Sequence, residues 1–233
     1  MVLRSVEFWD PTTRLWKTLA CLPFAVSKHG LVVSGQGKMY MAGGEYPDGS
    51  ASRAVWRYDP VLNAWQEMAD MRVPRSELGL AMLDGCVYAV GGWEGTSRLD
   101  SVERWVGGGR KFNCCEVTHG LVCRYDPETN TWSDVPSLKM AVTSPAVVAC
   151  DGALYVTGGA ILEDGDGIEL VQKYDTKTWK WTEVSGMLIP RSGSAACVLN
   201  GYIYVVSSWQ SPEEAVISAG SSVLCLFCWV LWV

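Results

Sequence analysis

The chain is poor in histidine, in basic charge and in long apolar runs, and each shortage removes a class of function. Only two histidines, His29 and His119, occur among 233 residues. A Ser-His-Asp relay would have to draw on one of them, and no nucleophile has a recognisable partner. Lysine and arginine number 19 against 25 aspartates and glutamates, a net charge of −6, so the basic footprint of a nucleic-acid-binding surface is missing. The apolar run Val223 to Val233 has eleven residues, where a bilayer-spanning helix needs about 20. Met1 to Glu7 lacks the apolar core of a secretory signal.

Metal ligands are equally scarce. Cys225-Leu226-Phe227-Cys228 has zinc-ligand spacing but no second pair, and it sits in an apolar run. Cys114-Cys115 with His119 lacks a fourth ligand. Glu163-Asp164-Gly165-Asp166-Gly167 resembles a calcium loop in composition only, because Tyr174 stands where an EF-hand closes with glutamate. The nine cysteines are scattered. Cys21, Cys86, Cys150 and Cys197 fall on or beside apolar stretches where any small hydrophobe would serve. The expectation is a cytoplasmic, reduced protein without cofactor, metal, catalytic residues, nucleic-acid partner or membrane span.

What the sequence has in abundance is repetition. Tyr40-Met41-Ala42-Gly43-Gly44, Tyr88-Ala89-Val90-Gly91-Gly92 and Tyr155-Val156-Thr157-Gly158-Gly159 share one ending, eroded in Tyr204-Val205-Val206-Ser207-Ser208. An aromatic-Asp pair followed six residues later by tryptophan gives the same ruler: Trp9-Asp10 with Trp16, Tyr58-Asp59 with Trp65, Tyr125-Asp126 with Trp132, Tyr174-Asp175 with Trp181. These tryptophans step by 49, 67 and 49 residues, so one unit carries about 19 residues more than the others. Within a unit the apolar period is two. Strands enter through tight turns such as Asp84-Gly85 and Asp151-Gly152, and four antiparallel strands in about 48 residues describe a propeller blade.

The Gly-Gly doublet, the Tyr-Asp-Pro and the tryptophan at these offsets resemble the kelch motif. Val122-Cys123-Arg124-Tyr125-Asp126-Pro127-Glu128-Thr129-Asn130-Thr131-Trp132 looks like the kelch-like proteins in particular. The resemblance implies an all-β, incomplete kelch β-propeller over residues 1–208, about four blade-equivalents of four-stranded antiparallel sheet, with an atypical apolar tail at 209–233. A closed ring of six blades would need roughly 290 residues at about 48 each. The BTB and BACK domains of that family have no counterpart in the sequence. Gly43, Gly44, Gly91, Gly92, Gly158 and Gly159, with Trp16, Trp65, Trp132 and Trp181, are expected to be structural, the glycines for backbone freedom and the tryptophans for filling space between sheets.

Two departures from the ruler need placing. Val102-Glu103-Arg104 and Val122-Cys123-Arg124 both resemble Val55-Trp56-Arg57, but only the second runs into Tyr-Asp-Pro, so the third strand of that blade is expected at Leu121 to Tyr125. Residues 105–120 then form an irregular inserted loop. Insert and tail together suggest an alternative transcript or a gene-model error in a longer kelch-like protein, with an inserted stretch within one repeat and a frame change after Ser208.

In a propeller the loops joining second to third strands, and those joining one blade to the next, gather on one face. Tyr46 and Trp93 are aromatic residues on the first set, suited to a binding hot spot, and Glu94 and Arg98 lie beside them. Arg75-Ser76 and Arg191-Ser192 share one repeat position in the second set. The resemblance implies that this position lines a pocket for an acidic peptide, the guanidinium forking onto carboxylates. Arginine is also common at this turn across kelch repeats, bonded to a neighbouring carbonyl, and both readings stand. The family implies a protein-binding propeller from the substrate-recognition adaptor of a cullin-RING ubiquitin ligase, with cullin held only through the BTB and BACK domains. The alternative is an actin-binding or other cytoskeletal scaffold.

Overall fold

Four sequence signals recur in each unit and each produces one piece of backbone. The computed structural model describes residues 2–106, 130–162 and 166–206, and all regular structure there is β. A two-stranded sheet comes first, β1 (Glu7–Asp10) with β2 (Leu15–Thr18). Three four-stranded sheets follow. They are β3 (Gly30–Val33), β4 (Met39–Ala42), β5 (Val55–Asp59) and β6 (Ala64–Glu67); β7 (Gly79–Leu83), β8 (Cys86–Val90), β9 (Val102–Val106) and β10 (Thr131–Val135); and β11 (Ala146–Cys150), β12 (Ala153–Thr157), β13 (Val171–Asp175) and β14 (Lys180–Val184). A second two-stranded sheet, β15 (Ala195–Leu199) with β16 (Tyr202–Val206), ends the described residues. Every pairing is antiparallel between sequence neighbours.

The first turn of a blade is written in two residues. Asp84-Gly85, Asp151-Gly152 and Asn200-Gly201 all take positive φ, from 48° to 79°, the two-residue hairpin geometry whose twist matches the flanking strands. The outer turn is set by aspartate. Asp10 accepts backbone hydrogen bonds from Thr12 and Thr13, Asp59 from Val61 and Leu62, and Asp175 from Lys177 and Thr178, which folds the chain into the fourth strand. Directly across that turn the aromatic pairs face one another: Trp9 with Trp16, Tyr58 with Trp65, Trp105 with Trp132, Tyr174 with Trp181.

The tryptophans also tie one sheet to the segment leaving the sheet before it. The Trp65, Trp132 and Trp181 indole N–H groups donate to the carbonyls of Ala20, Ala69 and Pro136 at 2.9, 2.8 and 2.7 Å. Trp16, by contrast, is 67% exposed and rests on Trp9, since no described sheet precedes it. The inter-sheet space-filling role expected of it is therefore met by the other three. First strands lie side by side, β3 against β7, β7 against β11 and β11 against β15, so the sheets fan around these inner strands as propeller blades. The core is the set of seams between blades. Tyr40, Val55, Leu80 and Trp105 pack between the first two whole sheets, and Tyr88, Val102, Leu154 and Trp181 between the second and third.

The third strand of the second whole sheet corrects the sequence reading. It is Val102–Val106, paired with both β8 and β10, whereas Leu121 to Tyr125 lie outside the described residues. The reason is burial. Val102, Glu103 and Trp105 all have buried partners waiting for them, and the Trp105 indole donates to Asn130 Oδ1 at 2.8 Å, the acceptor that serves Tyr58 from Asn63 in the preceding sheet. Trp105 thus stands in the tyrosine position of the motif. Residues 107–129, outside the described residues, therefore fall in sequence between third and fourth strands, not between second and third where the insert was expected. The Ser207-Ser208 doublet remnant, His119, Glu163 to Gly165 and the apolar tail also lie outside the described residues.

Candidate protein-binding face

The expected loop face is assembled from backbone first. At the entry to each inner strand one residue takes a left-handed conformation: Lys28 (φ 53°), Glu77 (53°), Ser144 (51°) and Gly193 (60°). Their amides link the blades in series, Glu77 N–H to Lys28 O at 2.9 Å, Ser144 N–H to Glu77 O at 2.7 Å and Gly193 N–H to Ser144 O at 3.0 Å. The result is an arc of hydrogen bonds around the centre of the face. Its side chains are joined as well. Lys28 Nζ lies 3.0 Å from Glu45 and 3.0 Å from Glu77, and Ser144 donates to Glu77 at 3.1 Å. The two carboxylates hold the Lys28 pKa above the ordinary lysine value.

The Gly-Gly doublets fix the joining loops against this arc. Gly44, Gly92 and Gly159 donate their N–H to the carbonyls of Arg75, Val142 and Arg191 at 2.7, 2.8 and 2.8 Å. At Gly158, with φ of 62°, a Cβ would stand 2.4 Å from the Arg191 carbonyl oxygen, so the close approach requires glycine. Each joining loop then bridges to the second-to-third-strand loop of the next blade, Ser27 to Glu45, Ser76 to Trp93 and Thr143 to Ala160.

On that frame the residues singled out from the sequence divide into two groups. Tyr46, Trp93 and Arg98 are partly exposed on the loops. The Tyr46 hydroxyl accepts from Ser52 at 2.9 Å, with its ring edge-on to Phe24. The Arg98 guanidinium sits 5.8 Å from the centre of the Trp93 ring, within cation–π range. Glu94 is turned inward on its own loop, accepting from Thr96 and Ser97.

Arg75 does not face a ligand. Its side chain is 0% exposed and every donor is used: Nε and Nη2 to Glu103 at 3.2 and 3.0 Å, Nη1 to the carbonyls of Gly91 and Ser101 at 2.8 and 2.9 Å, Nη2 to Ser101 Oγ at 2.9 Å. Burial lowers its pKa and the Glu103 carboxylate opposes that shift. Glu103 in turn accepts from the Arg72 and Val73 amides. The arginine is an internal clamp on the joining loop. Ser76 and Ser192 are buried too, and only Arg191 of this position remains partly exposed.

Sequence reasoning did not single out a concavity on this face. A pocket of about 390 Å³ opens between the loop carrying Tyr46 and the joining loop that follows, lined by Tyr46, Ser52, Arg53, Asp70 and Pro74. Arg53 Nε pairs with Asp70 at 3.2 Å, both side chains well exposed. Nothing in the repeat marks these residues, because they lie between the motif positions. Among the described residues no group of three or more His, Cys, Asp or Glu side chains is placed to hold a metal ion, and no helix is long and apolar enough to cross a membrane.

Blades of four antiparallel strands fanned about their first strands, with polar loops locked on one face, define the class: a propeller-type repeat protein. Residues 2–207 match the KLHDC2/KLHL20/DRC7 Kelch-repeats domain, and the chain belongs to the kelch-repeat family. It is 33% identical over 170 residues to mouse Kelch-like protein 35, covering 73% of this chain and 25% of that protein. It is 36% identical over 191 residues to rat Kelch-like protein 24, covering 67% of this chain and 30% of that protein. Human Kelch-like protein 33 is 31% identical over 147 residues. The chain spans about a quarter to a third of the length of these curated relatives.

Proposed function

We propose that this chain recognises a protein segment on its loop face, as the substrate-binding part of a kelch-like adaptor that delivers proteins to a cullin-RING ubiquitin ligase. Membership of the kelch-repeat family and likeness to kelch-like proteins support a protein-binding, non-enzymatic module. The single observation that carries the reading is the pocket beside Tyr46. There an aromatic hydroxyl, an exposed Arg53–Asp70 pair and Pro74 converge on loops joined by hydrogen bonds from Ser52 N–H to the Gly44 carbonyl and from Arg75 N–H to the Ser52 carbonyl. A peptide with an acidic side chain could take Arg53 from Asp70 while its apolar neighbour lies on Tyr46 and Pro74.

The test is recovery of bound protein from cells expressing the full natural protein, scoring cullin against actin. Cullin with a defined substrate supports the adaptor reading, and actin without cullin supports the cytoskeletal scaffold instead. The double substitution Tyr46→Ala with Arg53→Glu should abolish substrate recovery while leaving cullin recovery and the circular dichroism spectrum unchanged. Undiminished substrate recovery by that variant would place recognition elsewhere on the chain.

A further inference from the structure

The outer turn of the third whole sheet departs from those of the first two. The residue just ahead of β6 is Asn63, in the left-handed region at φ 46°, and the one just ahead of β10 is Asn130. Each Oδ1 accepts two hydrogen bonds, Asn63 from the Ala20 amide and the Tyr58 hydroxyl, Asn130 from the Ala69 amide and the Trp105 indole. Ahead of β14 the same place is held by Trp179, at φ 57°. The seam explains why asparagine is not required there. The residue that matches Ala20 and Ala69, receiving the Trp181 indole on its carbonyl, is Pro136, and proline has no N–H to offer.

That releases the position from asparagine without accounting for tryptophan. Asparagine enters the left-handed region readily, whereas a bulky side chain there is strained. Burial does not explain the choice either, because Trp179 is 43% exposed and the seam is filled by Trp181, two residues on. A strained residue that the packing does not demand points to use by a partner.

The surroundings of the ring are cationic. The Arg104 guanidinium, which donates to the Tyr88 hydroxyl, lies 5.3 Å from the centre of the Trp179 ring. Lys177 and Lys180 flank Trp179 in the chain, both are exposed, and neither forms an ion pair among the described residues. Asp175, the carboxylate of the same turn, is taken up by the Lys177 and Thr178 amides. The corresponding turn of the first whole sheet, Pro60-Val61-Leu62-Asn63, bears no charge. Thr176 donates to the Gly152 carbonyl at 3.3 Å, which sets the turn beside the β11–β12 hairpin, at the end of the blade away from the β12–β13 loop.

We infer that this turn is a second docking site, where an acidic protein segment lays an apolar side chain against Trp179 and sets carboxylates beside Arg104, Lys177 and Lys180. Carboxylates match the cations, and the exposed ring supplies the contact for the apolar residue. An anionic bilayer is the poorer match, since polybasic membrane sites gather about four to eight cations and the whole chain carries −6. The site leaves the pocket beside Tyr46 free, so two proteins can be held at opposite ends of the blades.

The probe is a fluorescein-labelled peptide with a leucine-phenylalanine pair between two runs of four glutamates, titrated against the full 233-residue chain by fluorescence anisotropy. Saturable binding is expected, weakened at least tenfold when glutamine replaces the glutamates and weakened further as salt is raised. Trp179→Asn, which gives this turn the residue of the other two, should keep or raise the melting temperature and weaken binding at least tenfold. Lys177→Glu with Lys180→Glu should weaken binding by as much, and the Tyr46→Ala, Arg53→Glu protein should bind the probe as the wild type does. No saturable binding by the wild type overturns the inference. So does a Trp179→Asn protein that melts lower yet binds undiminished, because the tryptophan is then structural. Should Trp179→Asn fail to fold, the lysine reversal on exposed side chains decides, and undiminished binding by it overturns the inference. Loss of binding only in the Tyr46→Ala, Arg53→Glu protein would move the peptide to the loop-face pocket, and binding to phosphatidylserine vesicles without binding to the peptide would assign the patch to a membrane. Either result overturns the inference as well.

Discussion

At the scale of single residues, the Arg75–Glu103 pair separates what a side chain can do from where the fold puts it. A guanidinium beside a serine reads as a carboxylate receptor, yet here the carboxylate it receives is internal. Breaking such a pair strands a buried charge, so Glu103→Ala should lower unfolding free energy by roughly 3–5 kcal/mol. Replacing both partners by apolar residues of similar size, Arg75→Met with Glu103→Leu, should recover most of that in urea denaturation. An equally large loss in the double variant would show that the hydrogen bonds to Gly91 and Ser101 matter more than the charge. The Trp132 indole makes a simpler case. Trp132→Phe keeps the ring in the seam but leaves the Ala69 carbonyl without its donor, at a cost of about 1 kcal/mol plus the lost area. Tryptophan as a space filler was legible from its spacing, but its hydrogen bond was not, since the acceptor lies 63 residues away.

Elements show how far local sequence carries. The hairpin glycines and the doublet glycines all take positive φ, but Gly152 and Gly201 stand in open space while the doublets are crowded. Gly152, with φ of 73°, has nothing within 4 Å of a Cβ position, whereas Gly158 meets a backbone oxygen at 2.4 Å. Gly152→Ala should therefore cost only the backbone penalty of about 1–2 kcal/mol, and Gly158→Ala clearly more, read from chemical denaturation of both proteins. Equal losses would mean that the backbone conformation alone matters at the doublet. The misplaced third strand belongs to this scale too. Tyr125-Asp126-Pro127 repeats the motif more faithfully than Trp105 does, so pattern matching favours it. The fold chose Val102–Val106 because Glu103 and Trp105 complete contacts with Arg75 and Tyr40 that a short-range pattern does not contain.

Over the whole molecule, stability resides in seams between blades, and one seam carries a pH signature. Tyr88 and Tyr174 lie with ring centres 6.5 Å apart across the second and third whole sheets. Burial pushes the Tyr174 phenol up to about 12 and raises that of Tyr88 as well. A raised phenol pKa means that the fold favours the neutral form. Its contribution is complete below the unfolded value near 10 and is lost as pH rises through the folded value. The ion pairs of Lys28 fade over the same alkaline range, but with less effect because that side chain is 45% exposed. Melting temperature should be flat from pH 8 to about 9.5 and fall steeply above 10, with the tyrosinate absorbance of Tyr88 and Tyr174, taken by difference from the Tyr88→Phe and Tyr174→Phe double variant, appearing alongside unfolding. That difference signal appearing in the folded protein near pH 10 would remove burial as the cause. The sequence by itself determined the repeat, the strand count per blade, the hairpin turns and the doublet and tryptophan positions, because these depend on residues a few places apart and recur in register. Only the tertiary structure decided that Arg75 turns inward, that the third strand of the second whole sheet is Val102–Val106, and that Arg53 and Asp70 meet beside Tyr46. Those outcomes depend on which side chains from distant strands reach one another, and a buried charge takes whichever partner the packing of the blades brings within reach.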